Sequence, residues 1–269
     1  MTLFRQHARN EAISTLIWAV VLGLTGFFTT YMWDVLHSSG SLAELQKTLE
    51  SAQGIVKSLI DSGGASLVTI DGWIQGYVLG SWVSFLYVTF TALFVAGMVT
   101  REMDRRTMEF MLALPISRTQ FLISRWLVLA GALVAIHLVH LMGVGSALVA
   151  LGQAGSLVRY ALAVANSFLL YLFLGNLMLL VSLFVDDYGT GTGVLLGIGM
   201  GLNILYLATA DAAGALKSLH ESLPFSLYDV QAIITKGDVP WGHMAILGAG
   251  ALLFLALAVR VFQRKPIAV

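Results

Sequence analysis

The sequence contains no cysteine, so disulfides and thiolate metal sites are excluded. It is also poor in charge. Only 11% of its residues are Asp, Glu, Lys or Arg, where a soluble domain carries about a quarter. None of these lies near the middle of any long apolar run. Ionisable residues inside a membrane usually mark ion or proton paths, so their absence weakens a secondary-transporter or proton-pump reading. The phosphate-cradling pattern G-x-x-x-x-G-K-[ST] is missing as well. Gly189-Thr-Gly-Thr-Gly193 is glycine-rich, but it lacks the lysine and leads into an apolar run. Neither H-E-x-x-H nor G-x-S-x-G occurs, which leaves an intramembrane enzyme without its reacting groups.

What is present is apolar surface. The chain is 58% hydrophobic with a mean hydropathy of +0.84. A helix crosses a bilayer in about 20 apolar residues, and six runs qualify: 12–33, 80–100, 119–151, 159–185, 190–210 and 241–262. These predict an all-α polytopic membrane protein with six spans and no room for a soluble catalytic domain. Arg5 and Arg9 precede the first run as in a signal peptide. The run from Ile13 to Trp33 is too long for a signal h-region and ends without a small-x-small cleavage site, so it reads as a retained span.

Basic residues set the orientation. With six spans, one side holds Arg5, Arg9, Arg101, Arg105, Arg106, Arg118, Arg125, Arg260, Arg264 and Lys265, which is 10 of the 15 basic residues. The other side holds Lys47, Lys57, Arg159, Lys217 and Lys236, spread over longer loops. Both termini are therefore expected in the cytoplasm. Trp33, Trp73, Trp82 and Trp241 are expected at or near the outer interface as an aromatic belt.

Between the second and third runs lies a basic, amphipathic segment, residues 101–118. Read as a helix over 101–115, it sets Met103, Thr107, Phe110, Met111 and Leu114 on one face. Glu102–Arg106 and Arg105–Glu109 are opposite charges four apart, each worth about 0.2–0.5 kcal/mol. Pro115 ends the helix. Ser117 and Gln120 then have the spacing of a capping box, and Ile116 and Phe121 that of a hydrophobic staple. The pattern predicts a short helix, a sharp stop and a fixed entry angle into the next span. Without further information, an interfacial helix that anchors the loop to anionic lipid is an equal reading.

The string from Glu102 to Arg118, E-x3-R-T-M-E-F-M-L-A-L-P-I-S-R, resembles the segment after the second span of ABC-2 type permeases. Leu223-Pro-Phe-Ser-Leu-Tyr-Asp229 is similar to the family's stretch before the last span. A long outer loop between spans 1 and 2 departs from the family pattern. The resemblance implies an ABC-2 (type V exporter-like) fold and the transmembrane permease subunit of an ATP-driven transporter in the cell membrane. Residues 101–118 would then be the coupling helix docking on a separate ATPase subunit. Phe110, Met111 and Leu114 would be the buried contacts or the membrane-side anchor, with Pro115 as the stop. Glu102, Arg105, Arg106, Glu109 and Arg118 would be charged groups around them. The turn Asp186-Asp187-Tyr188-Gly189 would be a second, smaller contact, or else a plain acidic loop. The chain itself would need no cofactor; ATP and Mg would sit on the partner ATPase. Two ATPase subunits act together in such systems, so a second permease copy, in a homodimer, is implied.

Gly189, Gly193, Gly197 and Gly201 recur every four residues in the fifth run, a face that lets another helix approach closely. A dimer seam and a contact within the subunit both fit. His137 and His140 lie one turn apart in the third run, as a metal or proton site or as histidines satisfied by a neighbouring helix. Asn166, Asn176 and Asn203 are expected to bond between helices. An outer amphipathic helix is expected at 41–61, with Leu42, Leu45, Leu49, Ala52, Val56 and Leu59 on one face, and a short outer helix at 223–234. The function that follows is a permease exporting a hydrophobic or amphipathic compound, such as an antibiotic or lipid-like molecule. An ion- or metal-linked permease, and a membrane sensor or scaffold whose 101–118 segment binds a signalling partner, are the alternatives.

Overall fold

The computed structural model describes residues 2–51, 66–104, 117–153, 157–210 and 212–265, and these contain helices and turns but no strand. The long helices are α1 (Thr2–Ser38), α4 (Ser81–Met98), α6 (Arg118–Ala150), α7 (Leu157–Ser182), α8 (Tyr188–Ala208) and α10 (Trp241–Arg264). Shorter pieces are α2 (Ser41–Ser51), α3 (Ile70–Trp73), α5 (Thr100–Asp104) and α9 (Ala215–Ser222). Six helical stretches are long and apolar enough to cross a membrane, and the second runs from Ile70 to Asp104. That second stretch is the centre of the bundle. In its most apolar window 78% of residues are buried, against 22% for the first and last stretches. The outermost helices therefore spend most of their apolar surface on lipid or on another chain.

Backbone contact sets the crossing of α1 and α6. A Cβ added to Gly143 would collide with the carbonyl of Gly23, and one on Gly26 would lie 2.5 Å from His140 Cδ2. Small residues at such crossings are how helices gain packing in lipid, where no hydrophobic force drives them together. Polar side chains complete the joints. Tyr87 Oη lies 2.9 Å from His140 Nδ1, joining α4 to α6. The Leu133 carbonyl can only accept, so His137 Nδ1 donates to it at 2.8 Å, and His137 Nε2 takes the Ser167 hydroxyl at 3.2 Å. His137 and His140 thus serve different helices. Asn176 accepts from Trp126 Nε1 (2.9 Å) and donates to the Ala251 carbonyl (2.8 Å), tying α7 to α6 and α10. Asn166 departs from the expectation: neither side-chain polar atom has a partner among the described residues, and Asn203 Nδ2 has none either.

At the end of the bundle opposite the basic residues, three expectations change. The second span starts ten residues earlier than 80, through α3 and a π turn, Ile74–Val78. Asp71 and Gln75 lower the hydropathy there, but both are partnered: the Tyr160 hydroxyl donates to Asp71, and the Thr235 hydroxyl donates to Gln75 Oε1 (2.8 Å). The turn needs glycine at position 80, because a Cβ there would strike the Gly76 carbonyl. The stretch expected as one helix over 223–234 is instead a 3-10 turn, Pro224–Leu227, and a π turn, Ala232–Lys236. Tyr228 leaves the helical region (φ −92°, ψ 82°), and Asp229 Oδ1 caps the next turn at Ala232 N (2.8 Å). Trp33 and Trp73 are not belt residues; they are 8% and 4% exposed, inside an apolar cluster with Tyr160 and Ile234. Trp82 and Trp241 are exposed at the starts of α4 and α10. For the outer helix expected at 41–61, α2 covers the first part, and residues 52–61 lie outside the described residues.

Candidate functional site: the basic end of the bundle

The starts of α1 and α6, the end of α10, the loop before α8 and the helix α5 meet at one end. His7 Nδ1 lies 3.2 Å from the Ser124 hydroxyl, which brings α1 to the base of α6. α6 begins as the sequence spacing requires. Ser117 Oγ accepts from Gln120 N (3.1 Å), and Gln120 Oε1 accepts from Ser117 N (3.0 Å), a reciprocal capping box. The staple partner Ile116 lies outside the described residues.

α4 ends at Met98, and α5 carries the chain on as Thr-Arg-Glu-Met-Asp. Four of these residues are fastened, two of them to α8 and the others to α6 and to the end of α10. Thr100 packs on α8: a Cβ on Gly191 would come within 2.8 Å of its methyl group. Arg101 Nη2 donates to the Tyr188 hydroxyl at 2.8 Å, with its guanidinium 4.8 Å from the ring centre. Glu102 Oε1 accepts from Arg125 Nη2 at 2.9 Å, and the two side chains are only 18% and 6% exposed. Met103 Sδ accepts from Lys265 Nζ at 3.2 Å.

Lys265 also donates to the Leu183 carbonyl (2.6 Å) and to Asp186 Oδ1 (2.7 Å). One ammonium thus joins α5, the loop before α8 and the end of α10. Arg118 makes the second clamp. Its Nη1 faces the carbonyls of Phe262 (3.4 Å), Gln263 (3.3 Å) and Lys265 (2.5 Å). A cation there satisfies the free carbonyls at a helix C-terminus and complements its dipole. Asp187 is used locally instead: its Oδ1 accepts from Thr190 N (2.6 Å) as the N-cap of α8. Hydrogen bonds from the Thr190 hydroxyl and amide hold its carboxyl below the usual aspartate value.

Of the site residues expected from sequence, Glu102, Arg118, Asp186 and Asp187 are described. The first three enter the brace and the fourth caps a helix. Arg105, Arg106, Glu109, Phe110, Met111, Leu114 and Pro115 lie outside the described residues. Two participants are additions of the structure, Arg125 as the partner of Glu102 and Lys265, while Tyr188 belongs to the expected turn and gains Arg101 as its partner. Arg125 carried a usable signal, since an arginine two turns inside an apolar run must find a counter-charge or polar partner.

The glycine stripe of α8 faces outward. Among the described residues, a Cβ on Gly193, Gly197 or Gly201 would meet nothing within 4 Å, and one on Gly189 only the Asp187 carboxylate at 3.5 Å. The contacts within the subunit fall on the other side, where a Cβ on Gly199 would come 2.5 Å from Met178 Cε and 2.6 Å from Val88 Cγ1.

The family model described as ABC-2 family transporter protein matches residues 1–266. No curated protein matches the chain.

Proposed function

The chain belongs to the ABC-2 transporter family and is a multi-pass permease component, and from that premise we propose that it exports a hydrophobic or amphipathic compound, driven by a separate ATPase. The ATPase docks on residues 101–118 from the cytoplasm, and ATP and Mg bind to that partner. The observation that carries the reading is the brace around α5. Arg101, Glu102 and Met103 are held by side chains from α8, α6 and α10. A push on the segment that follows Asp104 therefore reaches three spans besides its own. A loop that only anchored lipid has no use for a buried ion pair at its root. The absence of charge in the middle of the spans suits a bulky apolar cargo better than an ion.

A second permease copy completes the transporter. The open face of Gly193, Gly197 and Gly201 supports α8 as the seam, because it offers bare backbone to another helix and a Cβ there would meet nothing among the described residues within 4 Å.

Co-expression with a P-loop ATPase of the ABC class from the same genome, followed by pull-down, tests the coupling. The wild type should retain the ATPase. The double variant Phe110→Asp, Met111→Asp should lose it while remaining monodisperse in detergent. A wild type that holds no ATPase sinks the proposal and moves the reading to a sensor or scaffold.

A further inference from the structure

Near the basic end, α6 and α10 leave a groove between them on the outer surface of the bundle, with a volume of about 490 Å³. Its walls are aliphatic, with Ile123 from α6 and Leu252, Leu253 and Leu257 from α10. Leu252, Leu253 and Leu257 are 65%, 58% and 40% exposed. Polar groups line one end only: Thr119, Arg260 and Gln263.

Arg260 differs from the cations that brace this end of the bundle. Arg101, Arg118, Arg125 and Lys265 are each bound to the protein. Arg260 is exposed and has no hydrogen bond or ion pair among the described residues. It sits four residues before the end of α10, about 6 Å of helix rise, with Val259, Val261 and Phe262 beside it in the sequence. That is the depth at which hydrocarbon gives way to headgroups, where a lone guanidinium seeks an anion. The polar neighbour is ready to assist. Thr119 Oγ1 accepts from Gln263 Nε2 at 2.8 Å, which leaves the threonine proton free to donate.

We propose that this groove binds an anionic glycerophospholipid of the surrounding leaflet, with its phosphate on Arg260 and Thr119 and an acyl chain along Ile123, Leu253 and Leu257. Charge complementarity favours this occupant. The groove presents one unpartnered cation at headgroup depth and a purely aliphatic wall below it, the distribution of an anionic lipid turned inside out. A bound lipid also abuts the Arg118 clamp, because Thr119 and Gln263 belong to the two helix ends that Arg118 joins. The site rests on the membrane reading and not on the ATPase, so the pull-down above can fail while this site stands.

Native mass spectrometry of the delipidated permease, titrated with phosphatidylglycerol or phosphatidylcholine, tests it. Wild type should retain phosphatidylglycerol preferentially. Arg260→Gln should weaken that binding by about fivefold, the scale of one basic residue at an anionic surface, and leave phosphatidylcholine unchanged. Leu257→Trp, which fills the groove, should weaken both. Arg264→Gln, outside the groove, should behave as wild type, and a monodisperse elution profile guards against misfolding. Equal phosphatidylglycerol binding by wild type and Arg260→Gln overturns the proposal, as does an equal loss in Arg264→Gln. The chain has no cysteine, so Leu253→Cys can be oxidised in membranes as a further check. A disulfide-linked dimer from that position means a second copy fills the groove, and it also overturns the proposal.

Discussion

At the scale of single residues, the basic end depends on charges removed from water. The Glu102–Arg125 pair is nearly enclosed, and such a pair is poor at adding stability but costly to break. Glu102→Ala leaves Arg125 buried without its carboxylate, and a loss of about 3–5 kcal/mol is expected on that account. The double variant Glu102→Leu, Arg125→Met removes both charges and should recover most of the stability. Thermal unfolding in detergent reads the difference. If Glu102→Ala and the double variant unfold at the same temperature, the pair is not a mutual partnership. The ion pair was not legible in advance because its partners are 23 residues apart and lie on different helices. Spacing within one helix pointed instead to Arg106, four residues from Glu102. Lys265 escaped notice for the same reason: its contacts with Met103, Leu183 and Asp186 come from elements that meet only in the folded bundle.

At the scale of elements, local signals were readable and cross-chain ones were not. The capping box of Ser117 and Gln120 needs only neighbours three residues apart, and the structure contains both of its hydrogen bonds. The start of the second span needed information from far away. Asp71 and Gln75 look like loop residues until Tyr160 and Thr235, 89 and 160 residues distant, are seen to bond them. Glycine was half legible. The four-residue period in α8 marked a face, but not which way it pointed, and the inward packing falls on Gly191 and Gly199. The crossing of α1 and α6 at Gly23 and Gly143 had no periodic signature at all. Because a side chain at 143 would strike the Gly23 backbone, Gly143→Leu should separate these helices and cost at least the roughly 1–3 kcal/mol typical of overpacking. Gly131→Leu on the same helix, where a Cβ meets nothing, should be tolerated. Equal melting temperatures for the two variants would mean that the crossing carries no weight.

At the scale of the whole molecule, six spans and a helical fold followed directly from hydropathy, since each apolar run exceeds the length a bilayer demands. The family assignment over residues 1–266 agrees with the short motif between Glu102 and Arg118. Assembly is the larger expectation. With α8 as the seam, Gly197→Cys should form disulfide-linked dimers on mild oxidation in membranes. Met142→Cys on α6, 70% exposed and away from that face, should stay monomeric. Dimers from Met142→Cys alone would move the seam to α6.

The coupling of this permease to an ATPase through residues 101–118 is most directly tested by site-specific cross-linking. Phe110→Cys supplies the only thiol in an otherwise cysteine-free chain, so a bifunctional thiol–amine reagent reports on that position alone. The account predicts a cross-link from residue 110 to the ATPase subunit, and none from Gly40→Cys, which follows α1 at the opposite end of the bundle. A cross-link to the ATPase from residue 40 with none from residue 110 would contradict it.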